Sequence, residues 1–189
     1  MQMTPQREAE IQLVPYDLSW RREFELERNR LAGLCREFIC GPIEHIGSTA
    51  VPGLLAKPII DLMMPVADLE SSRPAIKLLK RSGYVYADYR SDVMHWFCKP
   101  SLQARTHHLH LVPFESPLWN ERLTFRDYIR KHPQYATTYA NLKRKLAKEF
   151  RFDREAYTEA KGPFVKYIVG LASEEQESNR GKQRSGRCR

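Results

Sequence analysis

The segment at residues 45–64, HIGSTAVPGLLAKPIIDLMM, constrains the fold of this chain more than any other. It places a glycine–serine corner, Gly47-Ser48, between two apolar runs that are short and interrupted by glycine and proline. We therefore predict two buried strands, IEHIG and PIIDLMMPV, on either side of this corner. The second predicted strand carries one carboxylate, Asp61, in an otherwise apolar setting.

The remaining pattern mixes helices and strands before it becomes purely helical. Residues 11–16, IQLVPY, predict a short edge strand, and a helix with one apolar face follows it. Asp68 is the predicted N-cap of a second helix, which reaches Gly83. The segments YVYADY, VMHWFCK and THHLHLVPF are rich in β-forming residues and predict two or three further strands. Only helices are predicted after Pro113.

This order of elements predicts an α+β fold, in which a mixed sheet with flanking helices is followed by a helical C-terminal half. A chain of 189 residues is long enough to bury one sizeable core. We divide it into a flexible N-terminus at residues 1–11, an α/β core at 12–113, a helical part packed on the core at 114–173, and a disordered basic tail at 174–189.

Charge and composition narrow the class of partner without selecting one. A formal net charge of +8 favours anionic partners such as nucleotides, phosphorylated metabolites or nucleic acid, although a solvated basic surface explains it equally well. We predict no membrane contact and a cytoplasmic protein, because no apolar run is long enough for a bilayer and the first residues do not form a secretory signal. The four cysteines lack the spacing of a zinc site or a disulfide framework and are expected to be reduced.

The glycine–serine corner has the chemistry of an anion site. Glycine lets the backbone turn sharply, the exposed N–H groups of such a corner form a concave anion site, and the Ser48 hydroxyl adds a donor. If the two strands are neighbours, Asp61 would hold a divalent cation against a phosphate at the corner, and Lys57 would neutralise phosphate charge. The alternative is architectural: Gly47 and Gly53 make turns, and Asp61 is an ion-paired carboxylate.

Three histidines extend this candidate site. His108 and His110 share one face of a strand, because side chains alternate, and with Asp61 they form a set that suits a transition metal. The alternative is that both are hydrogen-bonded residues of a core or pocket. His45 lies two residues before Gly47 and is expected to join the pocket if its strand is regular.

The C-terminal half offers basic and aromatic candidates. Arg126 and Arg130 share a helical face, and we favour pairing with acidic residues over phosphate binding for both. Most of the basic residues of the segment YANLKRKLAKEF are expected on the solvent face of their helix. The tyrosines Tyr135, Tyr139 and Tyr157 are expected to pack rather than to stack on bases.

Five segments, in one order, resemble the GrpB family of small bacterial proteins, an uncharacterised protein family. They are VPYDLSW, HIGSTAVPGLLAKPIIDLMMPV, HHLHLVPF, FRDYIRKHPQYATTYANLKRKLA and DREAYTEAKGPFV, and the resemblance covers about residues 14–172. It implies a nucleotidyltransferase-like fold, because the family is placed in a superfamily whose glycine–serine corner is followed by a strand with paired acidic residues. The family also occurs fused to dephospho-coenzyme A kinases, which implies an accessory role.

The resemblance further implies that the site binds a nucleotide or a phosphorylated small molecule. Asp61 would be the catalytic residue and would hold Mg²⁺ or Mn²⁺ for transfer of a nucleotidyl group, and Lys161 would reach the phosphates from the helical half. One departure is Met63, which stands where active nucleotidyltransferases have a second carboxylate, and methionine cannot bind magnesium. The alternative is therefore a non-catalytic ligand-binding or accessory, chaperone-like module. Specific nucleic-acid binding ranks last, because the chain has no recognised reading motif, and the sequence does not indicate an oligomeric state.

Overall fold

The structure is a computed structural model that describes residues 9–185, with side chains described through residue 179. A five-stranded mixed sheet is flanked by helices, which confirms the predicted α+β class. Short 3-10 helices lie at Arg36–Phe38 and Ser48–Ala50. In chain order the other elements are α1 (Ser19–Leu34), β1 (Glu44–Ile46), β2 (Ile60–Val66), α2 (Arg73–Arg81), β3 (Val85–Ala87), β4 (His95–Pro100), β5 (Arg105–Pro113), α3 (Pro117–Lys131), α4 (Pro133–Glu149), α5 (Arg154–Glu159) and α6 (Gly162–Ser185).

The two central strands of the sheet run parallel to each other. The strand order is β1-β2-β5-β4-β3; β2 pairs with β5 in parallel, and the other neighbours are antiparallel. Strand β2 is buried along almost its whole length, which explains why its sequence is nearly continuously apolar. In the register of β2 and β5, Asp61 lies opposite His108 and Met63 lies opposite His110, so these side chains share one face of the sheet.

The two faces of the sheet have different roles. The apolar side of α1 packs on one face, where Phe24 and Leu31 join a cluster with Leu62 and Leu109. The other face carries Asp61 and is adjacent to the C-terminal helices. The face under α1 is mainly apolar, whereas Asp61 of β2 and the histidines His108 and His110 of β5 lie on the other face. No helix in the described part of the chain is long and apolar enough to cross a bilayer.

Two predicted elements differ from the structure. Residues 11–16 form no strand; only an isolated bridge joins Val14 to Ala56, because Pro15 has no N–H with which to continue a ladder. Helix α2 begins at Arg73 rather than after Asp68. The Asp68 carboxylate instead accepts the backbone N–H of Ser71 at 2.7 Å in the preceding turn.

The predicted ends of the chain also differ. Ile11, which we assigned to a flexible N-terminus at residues 1–11, is buried, and its N–H donates to the Arg151 carbonyl at 2.9 Å. The predicted tail at residues 174–189 is helical through Ser185, because its first part is rich in glutamate and glutamine, which favour helix. Residues 1–8 and 186–189 lie outside the described residues. The division into parts at 12–113 and 114–173 stays a prediction.

Arginine side chains fix α3 against the strand and loop that form the glycine–serine corner. The Arg126 guanidinium is buried and donates to the Glu44 carboxylate at 2.5 Å and to the His45 carbonyl at 3.0 Å. One turn later, Arg130 donates two hydrogen bonds to the Ala50 carbonyl, at 3.0 and 2.7 Å. Arg126 thus pairs with an acidic residue of β1, as favoured, whereas Arg130 donates to a backbone carbonyl of the corner region; both hold α3 over the corner.

The substitution Arg126→Met tests this anchor. It leaves the Glu44 carboxylate and the His45 carbonyl without their buried donor, so we expect the free energy of unfolding to fall by about 3 kcal/mol. The control is Lys131→Met on the exposed side of the same helix, for which we expect a change within about 0.5 kcal/mol. Urea denaturation followed by circular dichroism measures both. Equal stability of the two variants would contradict the anchoring role.

Candidate functional site

A cavity of about 360 Å³ lies between the polar face of the sheet and the C-terminal helices. Its floor is formed by β2, β4 and β5, and its walls come from the glycine–serine corner and from helices α3 to α6. Aromatic rings supply much of the apolar wall, among them Trp96, Phe125 and Tyr139. Of the residues predicted for the site, those that line this cavity are Gly47, Ser48, Lys57, Asp61, His108, His110 and Lys161.

Gly47 brings the corner into direct contact with the carboxylate. Its φ of +72° lies in the left-handed region that disfavours other residues, and a Cβ atom at this position would overlap the Asp61 carboxylate. The chain then enters the short 3-10 helix that begins at Ser48. The corner and Asp61 therefore form one surface, as the sequence predicted if the two strands were neighbours.

Asp61 and the two histidines of β5 form a compact cluster. The Nδ1 atom of His108 lies 2.9 Å from Oδ1 of Asp61, and Nε2 of His110 lies 3.8 Å from the same oxygen. One ligand atom from each residue can be chosen so that all lie within 4.8 Å of one another. The Nε2 atoms of both histidines are buried and have no hydrogen-bond partner in the described part of the chain. Buried nitrogen atoms of this kind fit a metal ligand set.

The protonation states of the cluster also suit a metal. Burial alone would raise the pKa of the Asp61 carboxyl, but hydrogen bonds and charge from His108 and His110 outweigh it and hold that pKa well below its usual range. Burial lowers the pKa of His110 to about 4. At neutral pH the cluster therefore offers a carboxylate and a neutral imidazole, the forms that bind metal ions. The other ring nitrogen of His110, Nδ1, lies 3.3 Å from the sulfur of Met94.

Cationic side chains dominate the charge of the cavity wall. Six lysine and arginine residues line it, against two carboxylates, Asp61 and Glu155. A concave surface with this excess attracts a multiply charged anion, since low-dielectric walls focus the field inside a cleft. The six cations are Lys57, Arg105, Arg122, Lys143, Arg154 and Lys161.

Lys143 is a site residue that the sequence reasoning missed. Its side chain is buried, and its Nζ atom donates to Oγ of Ser48 at 3.0 Å and to the Leu55 carbonyl. Lys143 is the exception in this segment, whose other basic residues, Arg144, Lys145 and Lys148, are exposed. A signal was available, because Lys143 lies four residues after Tyr139 and three before Leu146, on the buried stripe of α4.

Burial and nearby positive charges lower the pKa values of two lysines that line the cavity. Desolvation, with the charges of Arg144 and Lys57, lowers the pKa of Lys143 to about 7. Desolvation, with the charges of Lys57 and Lys143, holds the pKa of Lys161 well below its usual value. The amines of Lys57 and Lys161 also lie 5.1 and 4.2 Å from the ring centroid of Tyr157, which is buried. An anion bound among these amines would favour their charged forms.

His45 does not line the cavity, which corrects its assignment to the predicted site. Its ring stacks on Phe24 with centroids 4.6 Å apart, on the opposite face of the sheet, and its Nε2 lies 3.1 Å from the Thr49 hydroxyl oxygen. The reason is that β1 ends at Ile46, which lies opposite Asp61, so the alternation that would align His45 with Gly47 stops before the corner. Burial lowers the pKa of His45 to about 4.

Met63 belongs to the core beneath the cavity. It is fully buried and packs with Ile46, Trp96 and Val112. The position at which the resemblance implies a second carboxylate in active enzymes is therefore filled by an apolar side chain. Imidazoles of the neighbouring strand lie beside Asp61 instead.

Gly47→Ala and Gly53→Ala form a matched pair that isolates the contact between the corner and Asp61. Both glycines have positive φ, +72° and +76°, but a Cβ atom at Gly53 would meet nothing within 4 Å. We expect Gly53→Ala to lower the free energy of unfolding by about 1 kcal/mol through φ alone. Gly47→Ala should lower it by about 3 kcal/mol, because it also displaces the carboxylate. Chemical denaturation measures both, and equal losses would show that the corner and the carboxylate are not in contact.

Comparison with known proteins finds relatives across most of the chain. The family model described as GrpB protein matches residues 10–170. A UPF0157 protein of Pseudomonas aeruginosa is 36% identical over 169 residues, which cover 86% of this chain and 67% of the relative. The glutamate-rich protein GrpB of Alkalihalophilus pseudofirmus is 32% identical over 166 residues, which cover 85% of this chain and 95% of that protein.

A solved structure shares the fold. The crystal structure of the conserved protein GrpB from Enterococcus faecalis superposes with a TM-score of 0.77 at 34% sequence identity, and the match covers 87% of this chain and 99% of the other. The family model, the relatives and the solved structure agree with the resemblance noted in the five sequence segments. The chain belongs to the GrpB family.

Proposed function

We propose that the cavity binds a nucleotide or another phosphorylated small molecule together with a divalent metal ion. One observation carries the proposal: a single cavity joins a carboxylate, two imidazoles, a glycine–serine corner and six cationic side chains. A phosphate group matches the cations, and a metal held on the floor would neutralise the phosphate oxygens that face it. The aromatic part of the wall provides contact area for the apolar part of such a ligand.

The proposed metal ligands are Asp61, His108 and His110. A hard ion such as Mg²⁺ prefers oxygen ligands, whereas a set of one carboxylate and two imidazoles suits Mn²⁺, Fe²⁺ or Zn²⁺. Between the two cofactors inferred from the sequence, the side chains therefore favour Mn²⁺. When bound, the metal would polarise a phosphoryl oxygen of the ligand.

The proposed phosphate site lies beside the metal ligands in the same cavity. Backbone N–H groups at Gly47 and Ser48 would donate to the phosphate, and the amines of Lys57, Lys143 and Lys161 would neutralise its charge. These groups come from the corner, from the loop before β2, from α4 and from the turn before α6, so a bound ligand would bridge the sheet and the helical half. A nucleotidyltransferase-like reaction on this ligand, in which Asp61 acts through its metal, is the enzymatic form of the proposal.

A binding module without catalysis is the second candidate function. Met63 favours it, because a buried methionine leaves Asp61 as the sole carboxylate of β2. The two candidates predict the same ligand and differ in turnover. Incubation of the protein with radiolabelled ATP, Mn²⁺ and cell-extract metabolites separates them: label transfer that Asp61→Asn abolishes identifies the enzyme, and binding without transfer identifies the module.

Calorimetric titration tests the shared part of the proposal. We expect ATP to bind the purified protein more tightly with Mn²⁺ than without it, and Asp61→Asn to weaken metal-dependent binding by at least about tenfold. The control is Asp92→Asn, an exposed carboxylate outside the cavity, which should leave binding unchanged. Unaltered binding in Asp61→Asn, or no binding of nucleotide or phosphate by the wild-type protein, would contradict the proposal.

Anion binding should also depend on pH through Lys143. Its pKa near 7 means that the ammonium forms as the pH falls, so affinity for an anion should rise as the pH falls from 8.5 to 6. With sulfate, whose own charge is constant over this range, we expect about a tenfold change. Lys143→Met should flatten the profile, and Lys145→Met, on the exposed face of α4, should preserve it. A profile in Lys143→Met as steep as that of the wild type would exclude Lys143 from the anion site.

A further inference from the structure

The Ser48 hydroxyl and the Lys143 amine form a close pair whose chemistry depends on the protonation of the lysine, because the ammonium neutralises a phosphate whereas the neutral amine is a base. Nζ of Lys143 lies 3.0 Å from Oγ of Ser48, and among the described residues no carboxylate pairs with this lysine. Its other contacts are the Leu55 carbonyl and the ring of Tyr139, whose centroid is 4.8 Å away. A buried amine without an acid partner is more stable in its neutral form.

The two adjacent hydroxyl groups of the corner have different surroundings. Ser48 lines the cavity and is partly exposed, and the lysine lies beside it. Thr49 is buried, and its hydroxyl donates to the Ile59 carbonyl at 3.1 Å and accepts from His45. The hydroxyl of Thr49 is thus occupied by buried hydrogen bonds to the Ile59 carbonyl and His45, whereas Ser48 is a partly exposed residue of the cavity wall with the lysine amine beside its oxygen.

We propose that Ser48 is a nucleophile for phosphorus and that Lys143 is its general base. This inference rests on the proposed function, since the electrophile is the phosphorus atom of the phosphorylated ligand. A serine hydroxyl is a weak nucleophile until a base within hydrogen-bond distance accepts its proton, and an uncharged lysine is such a base. The Leu55 carbonyl accepts one N–H of the amine, which orients the remaining nitrogen valences, including the lone pair, relative to Ser48.

The reaction that follows is balanced without an additional reagent. Oγ of Ser48 bonds to phosphorus while its proton moves to Nζ of Lys143, and the bond from phosphorus to the leaving oxygen breaks with the electron pair on that oxygen. The lysine ammonium then protonates the leaving group. In the second half, the hydroxyl of an acceptor, either water or an alcohol, gives its proton to Lys143 and attacks phosphorus. The bond to Oγ breaks, and Ser48 recovers a proton from the lysine.

The neutral, basic form of Lys143 is populated in neutral solution. The pKa of Lys143, lowered to about 7 by burial and by nearby positive charge, leaves a large fraction of the amine neutral at pH 7. The charged or titratable groups that face it come from its own helix, from the loop before β2 and from the turn before α6. They are Tyr139, Arg144, Lys57 and Lys161.

Covalent labelling with a fluorophosphonate probe tests the pair directly. Incubation of the full chain, followed by intact-mass and peptide mass spectrometry, should give one adduct, on Ser48, and no adduct in Ser48→Ala. We expect Lys143→Met to slow labelling at least about tenfold, and Lys145→Met to label at the wild-type rate. The rate for the wild type should rise between pH 6 and pH 8. Circular dichroism confirms that each variant is folded.

Three outcomes would overturn the inference: no adduct on the wild-type protein, an adduct on another serine, or equal labelling of Ser48 in wild type and Lys143→Met. Calorimetry with Mn²⁺ and ATP on the same samples distinguishes the serine nucleophile from the proposed metal and nucleotide binding. Metal-dependent nucleotide binding without labelling would reject the serine nucleophile and retain the proposed function. Labelling of Ser48 without binding of metal or nucleotide would reject the proposed function.

Discussion

The parallel pairing of β2 with β5 is the constraint on which the candidate site depends. It places Asp61 opposite His108, on the face of the sheet that α1 and α2 do not cover. Gly47 then brings the corner against the same carboxylate, at a position where a side chain would overlap it. A shift of one residue between the two central strands would turn the histidines into the apolar core and dismantle the cluster. Sheet register, rather than any single motif, assembles the site.

The helices and strands that hold this site follow from local sequence patterns, but the contacts between them do not. Apolar periodicity and turn residues predicted the helices, the strands around the corner and the α+β class, because these depend on short-range pattern. Local patterns did not predict features that depend on tertiary contacts. Lys143 is buried because Ser48 and Leu55, about ninety residues earlier in the chain, accept its hydrogen bonds. His45 was misplaced because strand alternation was extended past the end of β1. Whether Asp61 lies beside the histidines depends on the order of the strands in the sheet, and the periodicity of the sequence does not encode that order.

Met63, a core residue, limits which metal-binding atoms the cavity floor can offer. With Met63 buried beneath the cavity, β2 offers a single carboxylate, and the nitrogen atoms beside it come from β5. In the proposed metal site, such a set of one carboxylate and two imidazoles would favour transition metals over Mg²⁺. Arg126 and Arg130, on α3, form structural hydrogen bonds to the loop region of the corner, so the positive charge directed into the cavity comes from other residues.

The central claim is that a metal held by the Asp61 cluster and a phosphate held by the cationic wall occupy one cavity. Pulsed electron paramagnetic resonance of Mn²⁺ bound to the protein in the presence of a nucleoside triphosphate tests it most directly. The account predicts nitrogen couplings from directly bound imidazole and a phosphorus coupling in the same spectrum. A spectrum of bound Mn²⁺ with phosphorus couplings but no imidazole nitrogen, identical to that of the metal–nucleotide complex in buffer, would contradict it.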